Sequence, residues 1–162
     1  MASGDTLCVF LPLANEPPSS NYATLDTRNG HPVLDFDDTT GESALWTGVV
    51  PRNYAGGGWT VYVHWAATSA TTNTVGWLVA IERIGTAQDM DADSFAGNQT
   101  ITAATTSGTS GIVTITNVAI TDGANIDSVA VGEAFRIKVT RDVANDTVVG
   151  DAELVAVEIK ET

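Results

Sequence analysis

The fold is decided by two segments, Trp59-Thr-Val-Tyr-Val-His-Trp-Ala-Ala67 and Val75-Gly-Trp-Leu-Val-Ala-Ile-Glu-Arg-Ile84. In the first segment, tryptophan or valine occupies every second position from Trp59 to Trp65, and in the second the same spacing joins Trp77 to Ile81. Successive side chains of a strand point to opposite faces of its sheet. Both segments are therefore predicted to be strands, and three of the four tryptophans are expected to share one buried layer.

Shorter segments with strand patterns lie on both sides of this pair. The dipeptide Asn29-Gly30 is typical of a two-residue hairpin turn and predicts that residues 22–28 pair with residues 33–37. The strand that begins near Pro32 is expected to run on to Val50. A weaker strand is predicted over residues 99–103. The alternation over residues 112–121 changes phase at Asn117, which predicts a β-bulge there.

Two further strands are predicted toward the C-terminal end, on either side of a glycine-bounded loop at residues 123–132 with 3₁₀ character. Their alternating apolar positions are Phe135, Ile137 and Val139 in the first strand and Val155, Val157 and Ile159 in the second. Short strands separated by turn residues, with many β-branched and aromatic side chains, are typical of sandwiches. The predicted fold is all-β, an antiparallel jelly-roll-like β-sandwich with a short N-terminal arm.

The first 31 residues differ from the rest of the chain in their pattern of residue types. An apolar run, Leu7-Cys-Val-Phe-Leu11, is followed by the adjacent prolines Pro17 and Pro18. Proline lacks a backbone donor and restricts the residue before it, so the segment around this pair cannot hold a strand ladder. Residues 1–31 are therefore predicted to be an N-terminal strand and arm that makes an assembly contact, and residues 32–162 to be the sandwich domain.

The composition narrows the classes of partner. Twenty acidic residues against seven basic ones give the 162-residue chain a net charge of −13, which disfavours binding to nucleic acid or to anionic membranes. No apolar run approaches the roughly 20 residues that cross a bilayer, and the N-terminus lacks the pattern of a signal peptide, so synthesis in a cytoplasm is expected. The single cysteine, Cys8, cannot form an intrachain disulfide.

Few patterns in the sequence indicate catalysis or metal binding. The two histidines, His31 and His64, are not in a context that indicates a catalytic base. The triplet Asp89, Asp91 and Asp93 resembles the start of a calcium-binding loop, but the glycine and glutamate that complete such a loop are missing. We expect a solvated acidic loop, with calcium as the alternative, no other cofactor and no enzymatic activity. A small hydrolase would require two carboxylates or His64 to converge in a cleft.

Several stretches of the sequence resemble small jelly-roll domains of tailed-bacteriophage virions, which occur in capsid decorations, head or tail fibres and spikes. The similar stretches are Leu34–Trp46, residues 50–58, Val61–Ala67, Asp127–Val139 and Gly150–Leu154. The resemblance covers roughly residues 32–162. It implies a structural or attachment module that is commonly trimeric, and it defines no catalytic or binding residues.

On this basis the chain is expected to be a capsid decoration or cement protein that binds and stabilises the head shell. Its partners would be the major capsid protein and further copies of itself, in a homotrimer, and its location would be the virion. The N-terminal arm would supply the protein interface through Leu7, Val9, Phe10, Leu11, Pro17 and Pro18.

The alternative function is a carbohydrate-binding or receptor-binding module of a tail fibre or spike. Exposed aromatic rings beside polar loops would form its site. The candidate glycan contacts in the sequence are Trp46, Arg52, Tyr54 and Tyr62, with core packing as the competing interpretation for Trp46.

Overall fold

The computed structural model describes residues 2–69 and 71–162. Ten strands form within these residues: β1 Thr6–Phe10, β2 Thr24–Arg28, β3 His31–Phe36, β4 Ser43–Val49, β5 Trp59–Ala67, β6 Thr74–Ile84, β7 Gln99–Thr105, β8 Thr114–Ile120, β9 Ala134–Arg141 and β10 Ala152–Glu161. Three short 3₁₀ helices span Pro12–Ala14, Ala124–Ile126 and Val143–Asn145. None of the described helices is long and apolar enough to cross a membrane.

The strands form two sheets that pack face to face. The large sheet has the strand order β2-β3-β10-β5-β8, and β1 pairs with the C-terminal half of β10. The small sheet has the order β4-β9-β6-β7. Every pairing between these strands is antiparallel. This arrangement confirms the predicted all-β, jelly-roll-like sandwich.

The core between the sheets is rich in aromatic rings. All four tryptophans are buried, at 1% exposure or less, so the predicted tryptophan layer is confirmed and Trp46 belongs to it as well. Trp77 of the small sheet lies edge-on to Phe36 of the large sheet, with ring centroids 4.9 Å apart, and Trp59 meets Phe135 at 4.8 Å. Such contacts between rings of opposite sheets hold the two layers together, because aromatic side chains bury large apolar areas in defined geometries.

The predicted hairpin and several predicted strands are confirmed, but one predicted strand is broken into two. β2 pairs with β3 through Asn29-Gly30, both in the left-handed region with φ of 48° and 80°. The strand predicted to continue from Pro32 to Val50 is broken: β3 ends at Phe36 and β4, in the other sheet, begins at Ser43. The intervening Asp37 carboxylate accepts hydrogen bonds from the Thr39 and Thr40 amides, which turns the chain.

The bulge predicted at Asn117 is not found, because β8 is regular at this residue. β8 pairs with β5 without a register shift, so Thr116 points inward, where its hydroxyl accepts a hydrogen bond from Trp65 Nε1 at 3.1 Å. A register irregularity does occur in β10, between Leu154 and Ala156. Val155 is therefore turned away from the buried face that Val157 occupies, and the predicted alignment of these two valines was wrong.

The N-terminal residues are part of the sandwich. β1 and β2 belong to the large sheet, so the domain boundary predicted between residues 31 and 32 falls within the β2–β3 hairpin. After the first 3₁₀ helix, the chain runs along the free edge of β4. There Asn15 Oδ1 accepts a hydrogen bond from the Leu45 amide at 3.0 Å, and the Glu16 amide donates to the Leu45 carbonyl at 2.8 Å. The arm thus covers an edge strand that would otherwise expose unpaired backbone groups.

A buried arginine joins the end of β9 to the loop that leads into β10. The Arg141 side chain is fully buried and forms a two-bond ion pair with Asp146, at 2.8 and 3.0 Å. Its remaining donors reach three backbone carbonyls, those of Phe36, Val148 and Gly150, at 2.7–3.0 Å. One side chain therefore satisfies a carbonyl at the end of β3 and two carbonyls of the loop before β10.

Candidate functional site

A groove lies on the outer face of the small sheet and encloses about 440 Å³. We name it the small-sheet groove. Its floor is formed by β4 and β9, which present Ser43, Leu45, Arg136 and Lys138 on one face. One wall is the arm at residues 17–21, and the other carries Asp93 and Phe95 from the β6–β7 loop.

The arm wall is held by the hydrogen bonds that tie it to β4. In addition to the hydrogen bonds that the Asn15 side chain and the Glu16 amide form with the Leu45 backbone, the Thr47 hydroxyl donates to Glu16 Oε2 at 2.8 Å. The two prolines that follow lack amide donors, so they form no backbone N–H hydrogen bond to β4. Pro17 and Pro18, predicted to meet another protein, line this groove of their own chain.

The opposite wall is anchored by Glu82, which is buried on the outer face of β6. Its carboxylate accepts hydrogen bonds from the Ser94 amide at 2.6 Å and from Arg136 at 3.0 Å. Arg136 also donates to Asp93 at 2.8 Å. The loop that carries Asp93 and Phe95 is thereby fixed to the sheet from two sides, and the wall is formed before any ligand arrives.

Phe95 and Lys138 bring an aromatic ring and a cation together at the groove. Lys138 Nζ lies 4.5 Å from the centroid of the Phe95 ring, and the Arg136 guanidinium carbon lies 5.3 Å from it. Cations at these distances are attracted by the face of the ring. Ser43 and Asp93 line the same groove as Lys138 and Phe95. The groove therefore offers hydrogen-bond donors and acceptors as well as apolar surface.

Two of the predicted glycan contacts are buried, and the prediction was wrong for them. Trp46 is 1% exposed, and its indole Nε1 donates to the Leu11 carbonyl at 3.0 Å inside the core. Tyr54 is 7% exposed; its hydroxyl donates to Asp122 at 2.9 Å and accepts from the Gly58 amide. Burial, with the hydrogen bond to Asp122, raises the pKa of Tyr54 to about 12. Both rings serve the fold because their polar atoms find partners within the chain.

The other two predicted contacts are accessible but far from each other in the fold. Tyr62 is half-buried on the outer face of β5, in the large sheet. Arg52 is exposed in the β4–β5 loop, where its guanidinium lies against Gly132. Neither lines the small-sheet groove. The four residues proposed from the sequence are therefore not brought into one site.

The acidic triplet Asp89, Asp91 and Asp93 makes its observed contacts within its own loop and with an arginine. No three histidine, cysteine, aspartate or glutamate side chains within residues 2–69 and 71–162 are grouped to hold a metal ion. Asp93 turns to Arg136, and Asp89 Oδ1 accepts the amide of Asp91 at 2.9 Å. The Asp89 carboxylate thus caps its own loop and the Asp93 carboxylate pairs with an arginine, and calcium binding by Asp89, Asp91 and Asp93 stays a prediction.

The histidines do not approach each other on the large sheet. His64 lies on β5 between Ala156 of β10 and Ile115 of β8, so its neighbours across the strands are apolar. His31 lies at the start of β3, opposite Arg28. His64 therefore has no carboxylate among its described cross-strand neighbours.

The predicted interface residues of β1 divide between the core and the surface. Phe10 is buried and stacks on Trp46, with ring centroids 6.1 Å apart, so its assignment to a protein interface was wrong. Leu7 packs against the same core. Val9 and Leu11 are exposed, at 57% and 56%.

Arg136 and Lys138 were not assigned to a binding site from the sequence, because their position in a strand, and not their residue type, distinguishes them. Arg136 and Lys138 are two of only seven basic residues, and they stand two apart in a strand whose other face is apolar. That spacing places both cations on one outer face. The contribution of Phe95 could not be read in this way, because its loop shows no periodicity.

No protein-family model matches the chain, and no curated protein does. Solved structures do. A family 35 carbohydrate-binding module from an environmental isolate superposes with a TM-score of 0.58 at 14% identity, over 95% of this chain and 93% of that one. The xylan-binding module CBM15 gives a TM-score of 0.50 at 9% identity, over 96% and 97%.

A third similar structure contains a second module. It comprises the CBM22-1 and GH10 modules of xylanase 10B from Clostridium thermocellum, complexed with xylohexaose, and gives a TM-score of 0.50 at 13% identity. This chain is covered to 98%, but it spans only 29% of that chain. At such identities these likenesses establish the fold, which is that of the carbohydrate-binding modules.

These findings correct the resemblance to bacteriophage virion proteins. Two of the structures that share the fold along nearly the whole chain are a family 35 carbohydrate-binding module and the xylan-binding module CBM15. The prediction of a capsid decoration protein, with the major capsid protein as partner and a homotrimer on the shell, was therefore wrong. The strand edges and loops that carried the resemblance are features of jelly-roll sandwiches in general.

Proposed function

We propose that this protein is a non-catalytic carbohydrate-binding module and that it binds a hydroxyl-rich oligosaccharide in the small-sheet groove. The observation that carries the proposal is the lining of that groove, which combines the Phe95 ring and the Lys138 ammonium beside it with the carboxylate of Asp93 and the hydroxyl of Ser43. A sugar hydroxyl both donates and accepts hydrogen bonds, so its recognition requires partners of both kinds. The carbon-bound face of a sugar ring requires apolar surface, which Phe95 offers.

The rigidity of the groove favours binding of a flexible ligand. The arm is bonded to β4 and the Phe95 loop is bonded to Glu82 and Arg136, so neither wall has to be ordered when the ligand arrives. A site that is already ordered loses less conformational entropy on binding.

The similar structures support a polysaccharide as the source of the ligand. One of them is described as xylan-binding, and another contains xylohexaose. We therefore take neutral hexasaccharides of xylose, mannose and glucose as the first probes. The net charge of −13 favours neutral chains over acidic ones, because an anionic polymer would be repelled by the surface as a whole.

The proposal is tested by titration calorimetry with xylohexaose, mannohexaose and cellohexaose. The informative variant is Lys138→Gln, which removes the ammonium group and keeps a side chain of similar length. Lys160→Gln is the matched control, because the other lysine of the chain lies on the large sheet. A hydrogen bond to a charged group contributes about 1.5–3 kcal/mol, so Lys138→Gln should weaken binding about tenfold or more.

The expected result is that at least one hexasaccharide binds, that Lys138→Gln weakens the binding and that Lys160→Gln leaves it within about twofold. If none of the three hexasaccharides binds, the proposal that the protein binds a neutral oligosaccharide is refuted. Equal effects of the two lysine substitutions would move the site away from the small-sheet groove.

A further inference from the structure

We infer that the large sheet carries a second oligosaccharide site on its outer face, so that the module binds glycan on both sides of the sandwich. The inference extends the proposed function, from which it takes the class of ligand, but it rests on different residues. A groove of about 380 Å³ crosses this face. It will be called the large-sheet groove.

The floor of the large-sheet groove is apolar and runs across the strands. Val33 of β3, Val155 of β10, Ala66 of β5 and Val113, one residue before β8, line it in the order in which these strands lie in the sheet. Neighbouring strands are about 4.8 Å apart, so the row from β3 to β8 is about 14 Å long. An extended ligand lying across the strands would contact more than one of these side chains at once.

The two register features that the sequence did not predict create this floor. The irregularity in β10 turns Val155 outward, and the regular pairing of β8 turns Val113 and Ile115 outward. Val113 is 50% exposed although valine favours burial. Outward-facing valines on neighbouring strands are unnecessary for the core, which already contains Val63 and Val157 on the inner face.

The rim of the groove is polar and rigid. The Arg28 side chain reaches over the sheet, donating to Glu153 Oε2 at 2.6 Å and to Ser110 Oγ at 3.0 Å. Ser110 in turn donates to the Thr68 carbonyl at 2.7 Å. Asn29 joins the rim from the β2–β3 turn. An apolar floor under a fixed polar rim matches a sugar ring, which has a carbon-bound face and a hydroxyl-bearing edge.

The charges around the groove favour a neutral sugar over an acidic one. Glu153 lines the groove and pairs with Arg28, and it lies near Asp35, whose carboxyl also interacts with Asp26 and Asp151. Burial and its three carboxylate neighbours raise the pKa of Asp35 to about 6. A ligand with its own carboxylate would add to this repulsion.

The inference is tested by recording backbone amide NMR spectra during titration with the three neutral hexasaccharides and with hexagalacturonate. The informative variant is Val113→Asp, which places a charge on the groove floor. Ile112→Asp is the matched control, because Ile112 is its neighbour, is equally exposed at 52% and does not line the groove. Asn29→Gly serves as a second variant, since glycine keeps the left-handed turn at φ 48° and removes only the amide.

The expected result is that a neutral hexasaccharide shifts amides near Val33, Ala66 and Val113 in the wild type and in Ile112→Asp. These shifts should require about tenfold more ligand in Val113→Asp and several-fold more in Asn29→Gly, and hexagalacturonate should not cause them. Equal titrations of Val113→Asp and Ile112→Asp would overturn the inference.

The same spectra separate this inference from the proposed function. Shifts confined to residues near Lys138 and Ser43 would overturn the second site and leave the small-sheet groove standing. Shifts confined to the large-sheet groove would support the second site and remove the first. If neither groove responds to any neutral hexasaccharide, both proposals fail.

Discussion

Replacing Arg141 by methionine should cost far more stability than replacing any surface arginine. The Arg141 side chain is fully buried, and its two-bond partner Asp146 is 2% exposed. Methionine fills much of the same volume but leaves the Asp146 carboxylate without a cation, and removes the donors of three carbonyls. Breaking a buried ion pair in this way costs about 3–5 kcal/mol.

The assay is equilibrium unfolding in urea, with Arg83→Met as the matched control. Arg83 forms a similar fork with Glu133, but the two side chains are 31% and 19% exposed, so solvent screens the pair and its loss should cost about 1 kcal/mol or less. The double variant Arg141→Met with Asp146→Leu should recover part of the loss, because it removes the stranded carboxylate. An Arg141→Met cost close to that of Arg83→Met would refute the anchoring role of the buried arginine.

Three further substitutions have defined outcomes. The raised pKa of Asp35, about 6 against 3.8, means that the folded chain holds this proton more tightly, so its contribution to stability is lost as the pH rises through that window. Asp35→Asn should flatten the pH dependence of the free energy of unfolding, measured in urea, between pH 3.8 and about 6. An unchanged pH dependence would contradict the raised pKa of Asp35. Gly48→Ala would place a methyl carbon 2.7 Å from a ring carbon of Phe135 and should cost about 1–3 kcal/mol in thermal unfolding, whereas Gly97→Ala, which meets nothing within 4 Å, should be nearly neutral. Phe95→Leu removes two cation–ring contacts and should cost about 1–2 kcal/mol of stability while weakening hexasaccharide binding in calorimetry; unaltered binding would exclude the ring from the site.

Much of the sandwich could be predicted from the alternation of apolar side chains. In β5, β6 and β9 the pattern has a period of two and one face is entirely buried, so sequence and structure agree. The hairpin at Asn29-Gly30 was predictable for a different reason, since few residues adopt the backbone that its turn requires. Local rules were sufficient in both cases.

The grooves could not be predicted because tertiary contacts decide them. The unbroken pairing of β8 with β5 places Val118 and Ile120 on the inner face together with Thr116, whose hydroxyl accepts a hydrogen bond from Trp65. The same pairing reverses the expected orientation of Val113 and Ile115. Trp46 and Tyr54 combine apolar rings with polar atoms and suit either a surface or a core, and only the partners at Leu11 and Asp122 settle which. The arm offered a similar ambiguity: its bonds to Leu45 show that it completes its own sheet.

The most direct test of the account is a crystal structure of the protein with the hexasaccharide that binds most tightly in the calorimetric panel. The account predicts sugar in the small-sheet groove, with a hydroxyl within hydrogen-bond distance of Lys138 Nζ and a ring against Phe95. Oligosaccharide bound only at a surface remote from these two side chains, with the groove filled by solvent, would contradict it.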